Sequence, residues 1–241
     1  MNLRKLILTN NACFKAGRTI TPKGIMLHST AANNPNLCRY VNPDDGLLGP
    51  NLYSNHWNQD RPDGRSVCVH AFIGKLKDGS IATYQTLPWN HLAWHSGGDA
   101  NNTHISFEIC EDGLTCTAYF RAVFKEAVEL CAYLCKLYNL NETHIIDHSE
   151  GFKRGIASNS ADVMHWFPRH GENMNTFRAA VKKELAGNLP PPLTISECRA
   201  IIQSKCNFSN PAAVWTAIET HAFAEELYRR LAAAMNVNML H

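Results

Sequence analysis

The chain has 241 residues, long enough for one or two domains and for a hydrophobic core that needs no staples. Apolar residues make up 45% and charged residues 18%, which excludes wholesale disorder. The formal net charge of +2 supplies no cationic field of the kind that holds nucleic acid or an anionic membrane surface.

The first eighteen residues carry charge, and their apolar run stops at Leu6-Ile7-Leu8. That run is too short for the apolar region of a signal peptide, so cytoplasmic synthesis without a leader is expected. No stretch reaches the roughly 18 apolar residues of a membrane span.

Lys23–Ser29 reads as a strand, and Ser66–Gly74 as a second. Lys77-Asp78-Gly79-Ser80 is a turn that brings Ile81–Gln85 back as a hairpin. His104–Cys110 alternates apolar and polar residues and predicts another strand. Over Ala118–Asn139, apolar residues recur every three or four positions (Phe120, Phe124, Ala127, Cys131, Leu134, Tyr138), the pattern of a long helix. Thr143–Asp147 reads as a strand and Asn173–Leu185 as a closing helix. Strands alternating with helices imply an α/β domain around a mixed central β-sheet flanked by helices.

Three consecutive prolines, Pro190 to Pro192, cannot continue a helix. Residues 186–192 therefore read as a linker between a main domain, 1–185, and a small helical C-terminal region, 193–241. Thr194-Ile195-Ser196-Glu197 fits a capping box opening a helix to about Lys205. Ser209-Asn210-Pro211 starts a second helix, and His221–Met235 forms a third. A region this small is expected to pack on the main domain, on another copy, or on a partner.

Twelve histidines and nine cysteines are the unusual entries in the composition. The cysteine number is odd and no C-x-x-C pair occurs, so a four-cysteine zinc site has no support. The cysteines are expected to be reduced and mostly buried. Several histidines fall at strand ends or in glycine-flanked loops, where sites are built. His28 ends the first strand, His70 lies in the second, His95 sits in Trp94-His95-Ser96-Gly97, and His148 follows Ile145-Ile146-Asp147. Asp162 comes fourteen residues after His148. A catalytic zinc takes three protein ligands and one open position, and two imidazoles with one carboxylate satisfy that. His28, His148 and Asp162 are the set that could converge at one end of a sheet. No H-E-x-x-H helix is present.

Six segments, in order between about residues 20 and 180, resemble the zinc-dependent N-acetylmuramoyl-L-alanine amidases of the amidase-2 group, which includes phage endolysins and is related to peptidoglycan-recognition proteins. They are Gly24–Thr30, Pro62–Phe72, Ala93–Gly97, Thr103–Ile109, Asp147–Gly151 and Ala161–Pro168. The resemblance implies a zinc ion on His28, His148 and Asp162, with Glu108 as the general base. It also implies an open groove over the sheet edge that takes the muropeptide of peptidoglycan. Two residues before the third ligand, relatives often carry Lys, Thr or His; this chain has Ser160, which brings a hydrogen bond but no positive charge. His95 or His165 is the group expected to make up for it, and His165 is also the rival for third ligand. Recognition-type relatives place a tyrosine where this chain has Val69, which puts more weight on Glu108. His70, Trp94, His95 and His165 are the expected substrate-side residues, and Trp89 and Trp166 are further candidates for a sugar groove or for the core. The implied activity is cleavage of the amide between N-acetylmuramic acid and L-alanine, in an endolysin released to the bacterial wall by a holin. The alternative is a non-catalytic peptidoglycan-binding module.

Overall fold

The structure is a computed structural model that describes residues 1–187, 195–206 and 210–219 and the single positions Ala224, Tyr228 and Leu231. The chain divides into two compact units, Met1–Leu185 and Ala186–His241.

The first unit is built on a six-stranded sheet. Its strands are β1 (Leu3–Lys5), β2 (Gly24–Asn33), β3 (Ala71–Lys75), β4 (Ile81–Gln85), β5 (His104–Glu111) and β6 (Ile145–Asp147), in the spatial order β1-β4-β3-β5-β2-β6. The β3–β4 hairpin is antiparallel and every other pairing is parallel, which makes the sheet mixed as the alternation of elements implies.

The period-2 pattern of β2 and β5 divides their side chains between two cores. Ile25, Leu27, Ile105, Phe107 and Ile109 face α2 (Thr117–Tyr138) and α4 (Met174–Gly187). The inward stripe of α2 runs through Phe120, Val123, Ala127, Leu130, Cys131 and Leu134, all fully or nearly fully buried. Each large side chain so buried contributes about 1.5–3 kcal/mol. Asn139 ends α2 in the left-handed conformation (φ 54°) and returns its N–H to the Cys135 carbonyl. On the opposite face, Leu37, Tyr40, Leu48, Phe72 and Tyr84 form a second core beneath the long β2–β3 connection.

Two short elements carry no clear sequence signal. β1 is held because Glu126, buried on α2, accepts hydrogen bonds from the Asn2 N–H and the Thr83 hydroxyl, each at 2.8 Å. α1 (Ala12–Ala16) is capped by Asn11, whose side chain accepts from the Cys13 N–H. The expected strand over Ser66–Gly74 begins only at Ala71. Its first part instead crosses to the loop of Trp94, with the Cys68 N–H donating to the Trp94 carbonyl at 3.1 Å.

The cysteine expectation needs one correction. Cys13 and Cys68 form a disulfide, with Cα atoms 6.4 Å apart, tying α1 to the segment that leads into β3. The two lie 55 residues apart in sequence, so only the fold brings them together. Cys110, Cys131 and Cys135 are buried free thiols as expected, whereas Cys116 is exposed.

In the second unit, α5 (Ile195–Lys205) and α6 (Pro211–Glu219) occupy the first two expected helical stretches. Cys198, Ile202 and Tyr228 form a small buried cluster. Asn210 caps α6 by accepting from the Ala213 N–H at 3.2 Å. Thr194 and most of the expected third helix, His221–Met235, lie outside the described residues. No helix among the described residues is long and apolar enough to cross a membrane.

Candidate metal centre and groove

The face of the sheet opposite α2 carries His28 and Glu108. Ile25 and Leu27 point into the α2 core, so alternation turns Met26 and His28 the other way; in β5 the same rule turns Ser106 and Glu108. β2 and β5 pair in register with His28 opposite Glu108. On the other side of β2, Leu27 pairs with Asp147, so His148 emerges beside His28. Asp147 then caps α3 (His148–Lys153), its Oδ1 accepting the Glu150 N–H at 2.6 Å, which turns the chain sharply at His148. Asp162 opens a single 3₁₀ turn, Asp162–His165, that packs back against β2.

These elements bring three donors together. Asp162 Oδ2 lies 2.7 Å from His28 Nδ1 and 2.9 Å from His148 Nδ1, and the two imidazole nitrogens are 3.2 Å apart. These spacings approach the roughly 3.3 Å between donors that sit 2.0–2.1 Å from a tetrahedral zinc. Two neutral imidazoles and a carboxylate are also the donor types zinc takes. Burial lowers the pKa of His28 despite the carboxylate beside it, which favours its neutral, ligating form. The bonds to both histidines outweigh burial at Asp162 and hold its carboxyl ionised well below the usual carboxylate range.

Each imidazole has a second partner that orients it, as ligating histidines require. His28 Nε2 lies 2.9 Å from His95 Nδ1, and His148 Nε2 lies 3.3 Å from Ser158 Oγ. The loop carrying His95 is itself fixed. Asn101 Oδ1 accepts from the His95 N–H, the Ser96 N–H and the Ser96 hydroxyl. Gly98 lets this loop close on the segment after α3, since a Cβ there would stand 2.6 Å from the Ile156 carbonyl oxygen. Asn101 and Ser158 carry no motif that marks them in the sequence; only their contacts reveal them.

Glu108 Oε2 is shielded from solvent and has no hydrogen-bond partner. Burial, and after it the nearby Asp162 and Glu111 carboxylates, raise its pKa well above the ordinary value. Glu108, the three clustered donors, Trp94 and Ser160 line an open groove of about 700 Å³. Trp94 is 49% exposed on its wall.

The remaining expected site residues fall elsewhere or act indirectly. Ser160 Oγ donates to Asp162 Oδ1 at 3.0 Å, so its proton is directed to the carboxylate rather than towards a substrate. His165 does not join the cluster: its Nε2 lies 2.9 Å from Glu111 Oε1, a buried carboxylate that also accepts the Ala31 N–H. His70 is fully buried away from the groove. Its Nδ1 accepts from the Ser106 N–H and its Nε2 faces the His91 carbonyl at 2.8 Å. Trp89 and Trp166 are core residues, 8% and 0% exposed, and not groove walls.

The fold and the groove thus define a mixed-sheet α/β domain whose His-His-Asp cluster could hold a metal ion. The model of the N-acetylmuramoyl-L-alanine amidase family matches residues 18–168, and the chain belongs to that family. Among solved structures, a mutant of PlyL is 22% identical with a TM-score of 0.53, covering 76% of this chain and 99% of that one. A mutant endolysin from Bacillus subtilis is 21% identical with a TM-score of 0.52, covering 75% and 99%. The Staphylococcus aureus hydrolase AmiA, solved in complex with its ligand, is 16% identical with a TM-score of 0.54, covering 79% and 86%. At these identities the likeness is one of fold. No curated protein matches the chain significantly.

Proposed function

We propose that the chain is a zinc-dependent amidase that hydrolyses the bond between the lactyl group of N-acetylmuramic acid and the L-alanine of the stem peptide. The observation that carries this reading is the convergence of His28, His148 and Asp162 beside a half-buried Glu108, whose shielded Oε2 has no partner, in an open groove.

Zinc held on these three residues would supply a water acidified towards a pKa of about 7 and a Lewis acid for the scissile carbonyl. Glu108 takes a proton from the attacking water. Its raised pKa makes it, once ionised, a stronger proton acceptor than a solvated carboxylate. The same proton then passes to the departing nitrogen, so water is divided between a lactyl carboxylate and a free L-alanine amine. His95 and Ser158 hold the two imidazoles in the ligating orientation, and Ser160 holds Asp162. Trp94 offers a flat apolar surface for a sugar or peptide face.

The setting we propose is lysis of a bacterial wall by an endolysin, with the main domain acting as the catalytic unit. The fold shared with a Bacillus subtilis endolysin supports that setting. The test is to incubate purified cell walls with the protein and measure new N-terminal alanine, alongside zinc content. Stoichiometric zinc and released alanine are expected; no zinc and no released amine would overturn the reading.

A further inference from the structure

Beside the groove lies a smaller pocket of about 210 Å³. Glu108, His95, Trp94 and Arg65 line both, so the pocket opens directly off the reaction centre. Its outer wall comes from the β2–β3 connection, through Arg39, Tyr40 and Trp57. Arg65 is exposed, and among the described residues its side chain has no hydrogen-bond or ionic partner. Arg39 is half-buried. It donates one N–H to the Asn55 carbonyl and stacks over Tyr40 and Tyr53 at 5.2 and 5.3 Å. Among the described residues no carboxylate pairs with it. Two arginines thus line one small aromatic-walled pocket. A guanidinium is a planar fork of donors whose best match is a carboxylate or phosphate.

This inference rests on the amidase reading, which places the scissile amide between Glu108 and the metal cluster. The second stem residue of peptidoglycan is a D-glutamate linked through its side-chain carboxyl. Its α-carboxyl is therefore free, or is capped as an amide in other walls. Two residues of extended chain span at most about 7 Å, so this group reaches no farther than the space next to the reaction centre. We propose that Arg65 and Arg39 bind the free α-carboxylate of the second stem residue, so that the enzyme selects D-isoglutamate stems over D-isoglutamine stems.

The two substrates differ only in that group, so the ratio of kcat/KM on N-acetylmuramoyl-L-Ala-D-isoglutamate and on its isoglutamine counterpart reads the pocket. The full-length zinc enzyme is expected to favour the acid by about tenfold or more, the scale of one charge-assisted hydrogen bond. Arg65→Gln, an exposed change that spares the fold, should bring the ratio towards one. Arg39→Gln should do the same, and its thermal unfolding reports whether it still folds. A wild-type ratio near one, or a ratio unchanged in Arg65→Gln, would overturn the proposal. Calorimetric binding of the dipeptides L-Ala-D-isoglutamate and L-Ala-D-isoglutamine makes the same comparison without turnover. Failure to cleave either substrate counts against the amidase reading; equal binding of the two dipeptides counts against the pocket.

Discussion

His28 and Glu108 sit directly opposite each other on adjacent parallel strands, in register, on the face of the sheet turned away from α2. One is the first donor of the cluster and the other a half-buried carboxylate whose Oε2 has no partner, so strand pairing sets the spacing between the proposed metal site and the proposed base. Glu108→Gln keeps the shape and removes the proton acceptor. Turnover should fall by about 10²–10⁴-fold with zinc content unchanged. Alanine release and metal analysis on the same sample check this, and near-normal turnover would remove Glu108 from the mechanism.

Asp162 and His165 lie three residues apart on one turn but face different partners. Asp162 bonds both clustered imidazoles, whereas His165 bonds Glu111. Asp162→Ala should therefore lose zinc, and His165→Ala should retain it stoichiometrically. Zinc lost from the His165 variant and kept in the Asp162 variant would reverse the assignment.

His70 gives stability a pH dependence. Burial lowers its pKa from 6.5 to about 4, so in the fold it stays neutral over a range where the unfolded chain is protonated. The unfolded state then binds the extra proton, and stability rises with pH between about 4 and 6.5. Its contribution is complete above 6.5 and is lost as pH falls towards 4, a change of roughly 3 kcal/mol. Urea unfolding across this window should show that loss. In His70→Gln the slope should flatten by about one proton, or 1.4 kcal/mol per pH unit.

The Cys13–Cys68 disulfide closes a loop of 55 residues. In the chain-entropy account such a loop stabilises the fold by about 4 kcal/mol. The double variant Cys13→Ser, Cys68→Ser should unfold at correspondingly lower denaturant. Because Val67 and Arg65 of the groove lie just before Cys68, its kcat/KM should fall as well. Equal stability with and without reductant would show that the bond contributes nothing.

The strands around His28 and Glu108 and the helix α2 were legible in the sequence because alternation and the 3.6-residue period are local signals. The six ordered segments resembling the amidase family pointed to the cluster residues for the same reason: each is short and contiguous. Contacts between distant residues were not legible. Nothing near His165 says that it turns towards Glu111, and nothing near His70 says that Ser106 and His91 enclose it. Cys13 and Cys68 are joined only because α1 folds across the segment before β3. Arg39 and Arg65 share a pocket only because the β2–β3 connection wraps over the second core. The sequence by itself determined which faces of each element are apolar and which residues are candidates for the chemistry. The tertiary structure decided which of those residues meet, because strand register and chain crossings bring together groups more than a hundred residues apart.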